Sequence, residues 1–200
     1  MSTAICVTPL AKKIPVMEAD YIGVDAGALK ILEANLPLKQ AVGDFDSMTY
    51  EEFEKLESIC PIEKHPVMKD ETDSELAVRL CYEKGYDSVI LFGGFGGRLD
   101  HTLLNIRLLS ARFTDLILMD ETQKVMLLKE GEYVLYSDYK NVSLLPMEES
   151  IISYEGMLYN LDHRKISMKD TYTTSNSLTG NQAKIVIHSG CMLCIQTNEK

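Results

Sequence analysis

The chain has 200 residues, a net charge of −10 and a hydrophobic fraction of 46%. This length suits one large domain or two small ones, and the composition is ordinary for a soluble globular protein. The negative charge gives no general attraction to nucleic acid or to an anionic membrane. We therefore expect no binding to nucleic acid or to a membrane. Because the sequence has neither a signal-like N-terminus nor an apolar run of about 18 residues, we also expect a cytoplasmic protein.

The cysteines are odd in number and irregular in spacing, so no disulfide framework is predicted. One C-x-x-C pair occurs, but it lies in an apolar run with no second pair beside it. We therefore predict free and mostly buried thiols at Cys6, Cys60, Cys81, Cys191 and Cys194.

Residues 1–120 show short apolar runs that alternate with helical patterns. Strands are predicted at residues 4–7, 21–24, 41–42, 61–67 (extended, with prolines), 89–92 and 116–119. Helices are predicted from Gly27, after Thr49, over residues 74–84 with Gly85 just past the end, and after Gly97. This alternation predicts an α/β domain: a mostly parallel, Rossmann-like sheet flanked by helices.

Residues 121–200 show a different sequence pattern, with short β-like runs, frequent turn residues and no helical periodicity. The predicted strands are residues 125–128, 133–136, 142–145, 151–154, 158–161, 184–188 and 192–196. Closely spaced short strands predict a second, all-β domain, either an antiparallel sandwich or a barrel.

A glycine-rich turn follows the predicted strand at residues 89–92. Glycine leaves no Cβ to keep a ligand from the backbone, and a helix N-terminus beyond the turn favours an anion. Arg98 adds a planar set of donors suited to phosphate. The turn is not a Walker A loop, and Leu99 stands where a dinucleotide fingerprint needs its third glycine. The alternative is a structural βα turn in which Arg98 and Asp100 pair with each other.

Several acids follow predicted strands in the same way as the glycine turn. Asp25, and Asp44 with Asp46, fall just after predicted strands. Since ligands of parallel sheets sit beyond the carboxyl ends of the strands, these acids and the turn should gather on one rim. Two neighbouring carboxylates suit Mg²⁺, which takes oxygen ligands together with phosphate oxygens. The alternative is a turn whose aspartates bond their own backbone.

Two further groups lie at predicted helix starts. Asp70, Thr72 and Asp73 are explained in part by helix capping, although so many acids suggest a share in metal or substrate binding. At the other helix, Asp100 could bind metal, pair with Arg98 or act as a base. His101 and Asn105 stand one turn apart on that helix.

Three short acidic motifs of the sequence together resemble those of one known enzyme family. Residues 43–47 read G-D-F-D-S, residues 69–73 read K-D-E-T-D, and residues 96–101 read G-G-R-L-D-H with Asn105 beyond. Their order and spacing are similar to those of thiamine pyrophosphokinases. Residues 156–159 and 174–176 of the second domain also resemble that family.

The resemblance implies an α/β domain, a C-terminal β-sandwich and a homodimer. It also implies transfer of the pyrophosphate group of ATP to the hydroxyl of thiamine, giving thiamine diphosphate and AMP. The catalytic and Mg²⁺-binding set by motif is Asp44, Asp46, Asp73 and Asp100. The set for ATP and phosphate is Asp25, Gly96, Gly97, Arg98, His101 and Asn105. The thiamine set is Asp70, Thr72 and Asp73, with Ser175 and Asn176 from the partner chain.

The sequence departs from the family pattern at two points, and both concern the binding of thiamine. Ser177 replaces the acid that usually follows Ser-Asn, and the chain has no Trp, which makes Tyr172 the candidate stacking ring. These leave open a pyrophosphokinase or kinase that acts on another small alcohol. A non-catalytic nucleotide-binding regulator is a further alternative, although so many acids beside phosphate disfavour it. The broken glycine fingerprint disfavours a dinucleotide-dependent oxidoreductase.

Overall fold

The structure is a computed structural model that describes residues 2–65 and 70–198. The chain divides into two compact units, residues 1–121 and residues 122–200. Among the described residues, no helix combines the length and the apolar character needed to cross a membrane. All five cysteines are free, and four of them are buried, as the sequence analysis predicted.

Among its described residues, the first unit contains six parallel strands in the order β4-β3-β2-β1-β5-β6. Their bounds are β1 Thr3–Val7, β2 Asp20–Val24, β3 Leu38–Gly43, β4 Ile62–Lys64, β5 Ser88–Phe92 and β6 Ile117–Met119. The helices are α1 Gly27–Glu33, α2 Tyr50–Glu57, α3 Asp73–Glu83 and α4 Leu99–Ala111. The mostly parallel α/β fold predicted from the sequence is confirmed.

Helices cover both faces of this sheet. Ile5 and Val7 of β1 pack in one cluster with Ile31 of α1. Cys6, which lies between them in the strand, has its sulfur 3.5 Å from that of Cys81 in α3. Since successive side chains of a strand point to opposite faces, α1 and α3 lie on opposite faces of the sheet. This double burial explains why the central strands β1, β2 and β5 read as continuous apolar runs.

The helix boundaries follow the capping residues of the sequence. Thr49 forms a complete capping box with Glu52 at the start of α2. Thr72 caps the N-terminus of α3, and Gly85 with a φ of +82° follows the C-cap residue Lys84. The extended segment predicted at residues 61–67 contains β4, and its residues 66 and 67 lie outside the described residues.

The second unit contains only strands among its described elements. They are β7 Gln123–Leu128, β8 Gly131–Tyr136, β9 Asn141–Pro146, β10 Ser150–Glu155, β11 Leu161–Ile166, β12 Gln182–Ser189 and β13 Met192–Thr197. Within this unit the antiparallel orders are β7-β13-β9 and β11-β10-β12-β8. Alternate residues of both layers, such as Val142 and Leu144 with Ile185 and Ile187, form a single core. The β-sandwich is therefore confirmed.

One predicted strand of this unit is wrong. The segment predicted at residues 158–161 is not a strand before Leu161, and β11 continues to Ile166. The asparagine at position 160 explains the difference, since its carboxamide accepts a hydrogen bond from the N–H of Met157 at 3.1 Å. This local bond closes a turn, and the apolar residues Leu158 and Tyr159 are left exposed on it.

Candidate active site

A cleft of about 370 Å³ lies at the carboxyl ends of the first unit's strands. Residues that follow β1, β2 and β5 form its wall together with the starts of α3 and α4. The lining residues are Thr8, Pro9, Leu10, Val24, Asp25, Thr72, Asp73, Ser74, Gly93, Gly94, Gly96, His101 and Asn105. The rim expected from the order of strands therefore exists, and it is concave.

Three carboxylates converge at this rim. Asp25 follows β2, Asp44 follows β3 and Asp73 opens α3, and one oxygen of each lies within 4.8 Å of the others. All three side chains are partly buried. Such a set of hard oxygen donors fits Mg²⁺, because the ion would offset the repulsion between the carboxylates.

Asp25 is the most perturbed member of this cluster. Partial burial, the charges of Asp73 and Asp44 and a hydrogen bond with Asp73 raise the pKa of Asp25 to about 6, although the N–H of Phe45 opposes the shift. That N–H donates to Asp25 Oδ1 at 3.2 Å. A Cβ added at Gly43 would stand 1.9 Å from the same oxygen. Gly43 therefore leaves the space that the Asp25 carboxylate occupies.

The structure brings together only part of the metal set expected from the motifs, namely Asp44 and Asp73. Asp46 is exposed and outside the cluster, and its backbone N–H donates to Asp44 Oδ1 at 3.1 Å. Asp100 is also exposed and outside the cluster. The Arg98 guanidinium bonds both its oxygens, at 3.1 and 2.6 Å, and lowers the pKa of Asp100 to about 2. The pairing that the sequence analysis gave as an alternative is present.

The residues at the start of α3 serve two purposes: one caps the helix and another lies in the cleft. The Thr72 side chain accepts from the N–H of Glu75 at 3.2 Å, so its hydroxyl acts as the helix cap. Asp73 is the residue that reaches the carboxylate cluster. Asp70 is exposed before the helix, and Lys69 of the same motif lies outside the described residues.

The glycine turn has the backbone that its composition predicts. Gly93, Gly96 and Gly97 all have positive φ values. His101 lines the cleft beyond the turn. Asn105 is buried, and its Nδ2 donates to the carbonyl oxygen of Gly94 at 2.8 Å.

In the second unit, Ser175 and Asn176 belong to a segment tied to β9. Asn176 and Val142 exchange backbone hydrogen bonds of 2.9 and 2.8 Å, and the Ser175 N–H donates to Ser143 Oγ at 2.9 Å. The buried Asn176 carboxamide donates to the carbonyl of Tyr159 at 2.8 Å and accepts from its N–H at 3.2 Å. Ser175 is exposed with a φ of +56°.

Asn176 and Ser175, both in the expected thiamine set, therefore differ in their surroundings. Asn176 holds the turn at residues 157–160 in place, and Ser175 faces solvent. Leu158, Tyr159 and Tyr172 expose 62, 69 and 50% of their surface. Exposed apolar side chains gathered around one segment are typical of a surface that binds a ligand or a partner.

Comparison with known proteins identifies the family. Residues 16–119 match the family "Thiamin pyrophosphokinase, catalytic domain", and residues 129–192 match "Thiamin pyrophosphokinase, vitamin B1 binding domain". The chain is 32% identical over 187 residues to thiamine pyrophosphokinase of Bacillus subtilis strain 168, covering 90% of this chain and 87% of that protein. The chain belongs to the thiamin pyrophosphokinase family.

Solved structures of the thiamin pyrophosphokinase family share the fold along the whole chain. A family protein from Enterococcus faecalis is 26% identical with a TM-score of 0.88, and each chain is covered completely. The thiamine pyrophosphokinase of Bacillus subtilis is 28% identical with a TM-score of 0.87 and the same coverage. The resemblance drawn from the three acidic blocks is therefore confirmed.

Sequence reasoning missed the contribution of the N-terminal segment to the cleft. Thr8, Pro9 and Leu10 line it, although no role was predicted for residues 1–19. The available signal was their position directly after β1, the same rule that identified Asp25. Sequence reasoning also placed Asp25 with the phosphate ligands, whereas the structure places it in the carboxylate cluster.

Proposed function

We propose that this chain transfers the pyrophosphate group of ATP to the hydroxyl of thiamine, giving thiamine diphosphate and AMP. The observation that carries the proposal is the cleft that joins a glycine turn to three converging carboxylates in a chain of the thiamin pyrophosphokinase family. A binding protein without catalysis would gain little from carboxylates placed beside phosphate.

The proposed roles follow from the geometry. Asp25, Asp44 and Asp73 would hold Mg²⁺, which when bound neutralises phosphate charge and aligns the reacting oxygens. The glycine turn and the start of α4, with Gly96, Gly97 and His101, would bind the phosphates through N–H groups and the helix dipole. Arg98 is exposed beside them and would contact phosphate in exchange for Asp100.

The reaction needs alignment and one proton acceptor. The thiamine hydroxyl oxygen forms a bond to the β-phosphorus of ATP, and the bond from that phosphorus to the oxygen bridging the α-phosphate breaks. AMP leaves with the bridging oxygen. A carboxylate at the hydroxyl accepts its proton. Asp73, which faces the cleft, is better placed for this role than Asp100, which is paired with Arg98.

The nucleotide product tests the proposal. We expect thiamine-dependent turnover with ATP and Mg²⁺ to release AMP in amounts equal to the thiamine diphosphate formed, measured by chromatography. Omission of thiamine is the control. Release of ADP in equal amounts would mean ordinary phosphoryl transfer, and the proposed reaction would be wrong.

We further propose a cytoplasmic homodimer whose sites are shared, with the carboxylates of one chain facing the Ser175 segment of the other. The five free thiols support a reducing compartment. The exposed apolar side chains around the Ser175 segment support a surface that a ligand or a second chain covers.

Mixed dimers test the shared site. Asp44→Asn removes one carboxylate, and Ser175→Lys places a cation where the cationic thiazolium of thiamine would lie. Each variant alone is expected to be inactive, whereas a randomly paired equal mixture should recover about a quarter of wild-type activity, as a two-fold dimer requires.

The Ser175→Asn variant is the matched control, because asparagine tolerates a positive φ and adds no charge. It should remain active. If subunit exchange is confirmed by mass labelling and the mixture stays as inactive as its components, each site belongs to a single chain.

A further inference from the structure

The glycine turn is held by two buried side chains that reach it from different elements. Thr8, just beyond β1, donates its hydroxyl to the carbonyl oxygen of Gly93 at 2.6 Å. Asn105, in α4, donates to the carbonyl oxygen of Gly94 at 2.8 Å. Both donors are almost completely buried, at 5 and 6% exposure. Two successive carbonyl groups of the turn are therefore fixed in direction.

Because the peptide unit is planar and trans, fixing a carbonyl group also fixes the direction of the N–H group in the same unit. In each peptide unit the C=O and the following N–H point in opposite directions. Fixing the carbonyls of Gly93 and Gly94 therefore fixes the N–H groups of Gly94 and Phe95. Neither N–H has a hydrogen-bond partner within residues 2–65 and 70–198. Gly94 is buried at the wall of the cleft, where an N–H normally finds an acceptor.

Glycine makes such control necessary. Its peptide units rotate at little cost, since glycine occupies positive and negative φ about equally. A rotated unit would turn a carbonyl oxygen toward the cleft and repel a phosphate. Alanine could not replace Gly93, because its Cβ would lie 2.6 Å from Thr8 Oγ1. The same close contact that excludes a side chain therefore brings the hydroxyl to the carbonyl.

We infer that Thr8 and Asn105 are positioning residues that hold the peptides of Gly93 and Gly94 with their N–H donors available to the phosphates of ATP. This inference rests on the proposed function of the cleft. It assigns a role to the N-terminal segment. It also changes the expected role of Asn105 from a phosphate ligand to a residue that acts through Gly94.

Calorimetric titration with ATP and Mg²⁺, and separately with adenosine, tests the inference. Thr8→Val keeps the shape and removes the hydroxyl, and we expect ATP affinity to fall about tenfold, the factor for one lost hydrogen bond. Adenosine has no phosphates, so its affinity should stay within about twofold. Thr8→Ser restores the donor and should restore ATP affinity. Asn105→Leu should repeat the loss seen with Thr8→Val.

Thr3→Val is the matched control, since Thr3 lies at the opposite end of β1 and should leave both affinities unchanged. In turnover, KM for ATP should rise in Thr8→Val while KM for thiamine stays constant. An unchanged ATP affinity, an equal loss of adenosine affinity or a failure of Thr8→Ser to restore binding would each overturn the inference. Because these titrations need no catalysis, the result is independent of whether the wild type releases AMP.

Discussion

Replacing any one of Asp25, Asp44 or Asp73 with asparagine is expected to lower thiamine-dependent AMP formation by on the order of 10²-fold or more. Each carboxylate supplies one of three oxygens that meet within 4.8 Å, so each replacement removes a third of the charge offered to the cation. Steady-state AMP formation over a range of Mg²⁺ concentrations measures the effect. Circular dichroism confirms that the variants are folded.

Asp46→Asn is the matched control, because this aspartate shares the D-x-D motif with Asp44 but is exposed outside the cluster. We expect its loss of activity to be below about tenfold, since no direct carboxylate ligand is removed. An equal loss for Asp44→Asn and Asp46→Asn would show that the ligand set expected from the motif is correct and that the cluster is not.

The same Asp25→Asn variant is expected to stabilise the metal-free protein at pH 8. An ordinary aspartate has a pKa of about 3.9, and the folded protein raises the pKa of Asp25 to about 6. The folded state thus holds more protons than the unfolded state between these values. Its stability falls as pH rises through that window, and the full cost is present above about pH 7.

Urea unfolding in EDTA at pH 5 and pH 8 measures this effect. The gain from Asp25→Asn should be about 1 kcal/mol at pH 8, after allowance for solvent screening of a partly exposed group, and smaller at pH 5. Asp46→Asn, which lies outside the cluster, again serves as the control. An equal gain at both pH values would mean that Asp25 is not the group that titrates.

Much of the fold could be predicted because its local signals agree with its tertiary contacts. Strands β1, β2 and β5 are buried on both faces, so they read as apolar runs. Thr49, Thr72 and Gly85 mark helix ends by their own chemistry. The error at residues 158–161 arose where apolar residues are exposed on a turn. No periodicity distinguishes such residues from a buried strand.

The site was predicted less completely, because its geometry depends on contacts between distant elements. The rule for strand ends correctly gathered Asp25, Asp44 and the glycine turn. The rule could not show that Asp25, and not Asp46, is the third member of the cluster. The Asp25 carboxylate fits there because Gly43, which is distant in sequence, has no Cβ to occupy that space. The sequence left three roles open for Asp100, and among these the structure shows the pairing with Arg98.

The segment that carries Ser175 has a consequence for the kinetics of ligand binding. Backbone bonds to Val142 and Leu144, and the Thr173 hydroxyl bond to Leu144 at 2.5 Å, fix its course in the isolated chain. Conformational entropy that a loose loop would lose on meeting a ligand has already been lost during folding. The segment is thus preorganised, and a ligand that docks on it should associate without a slow loop-closing step.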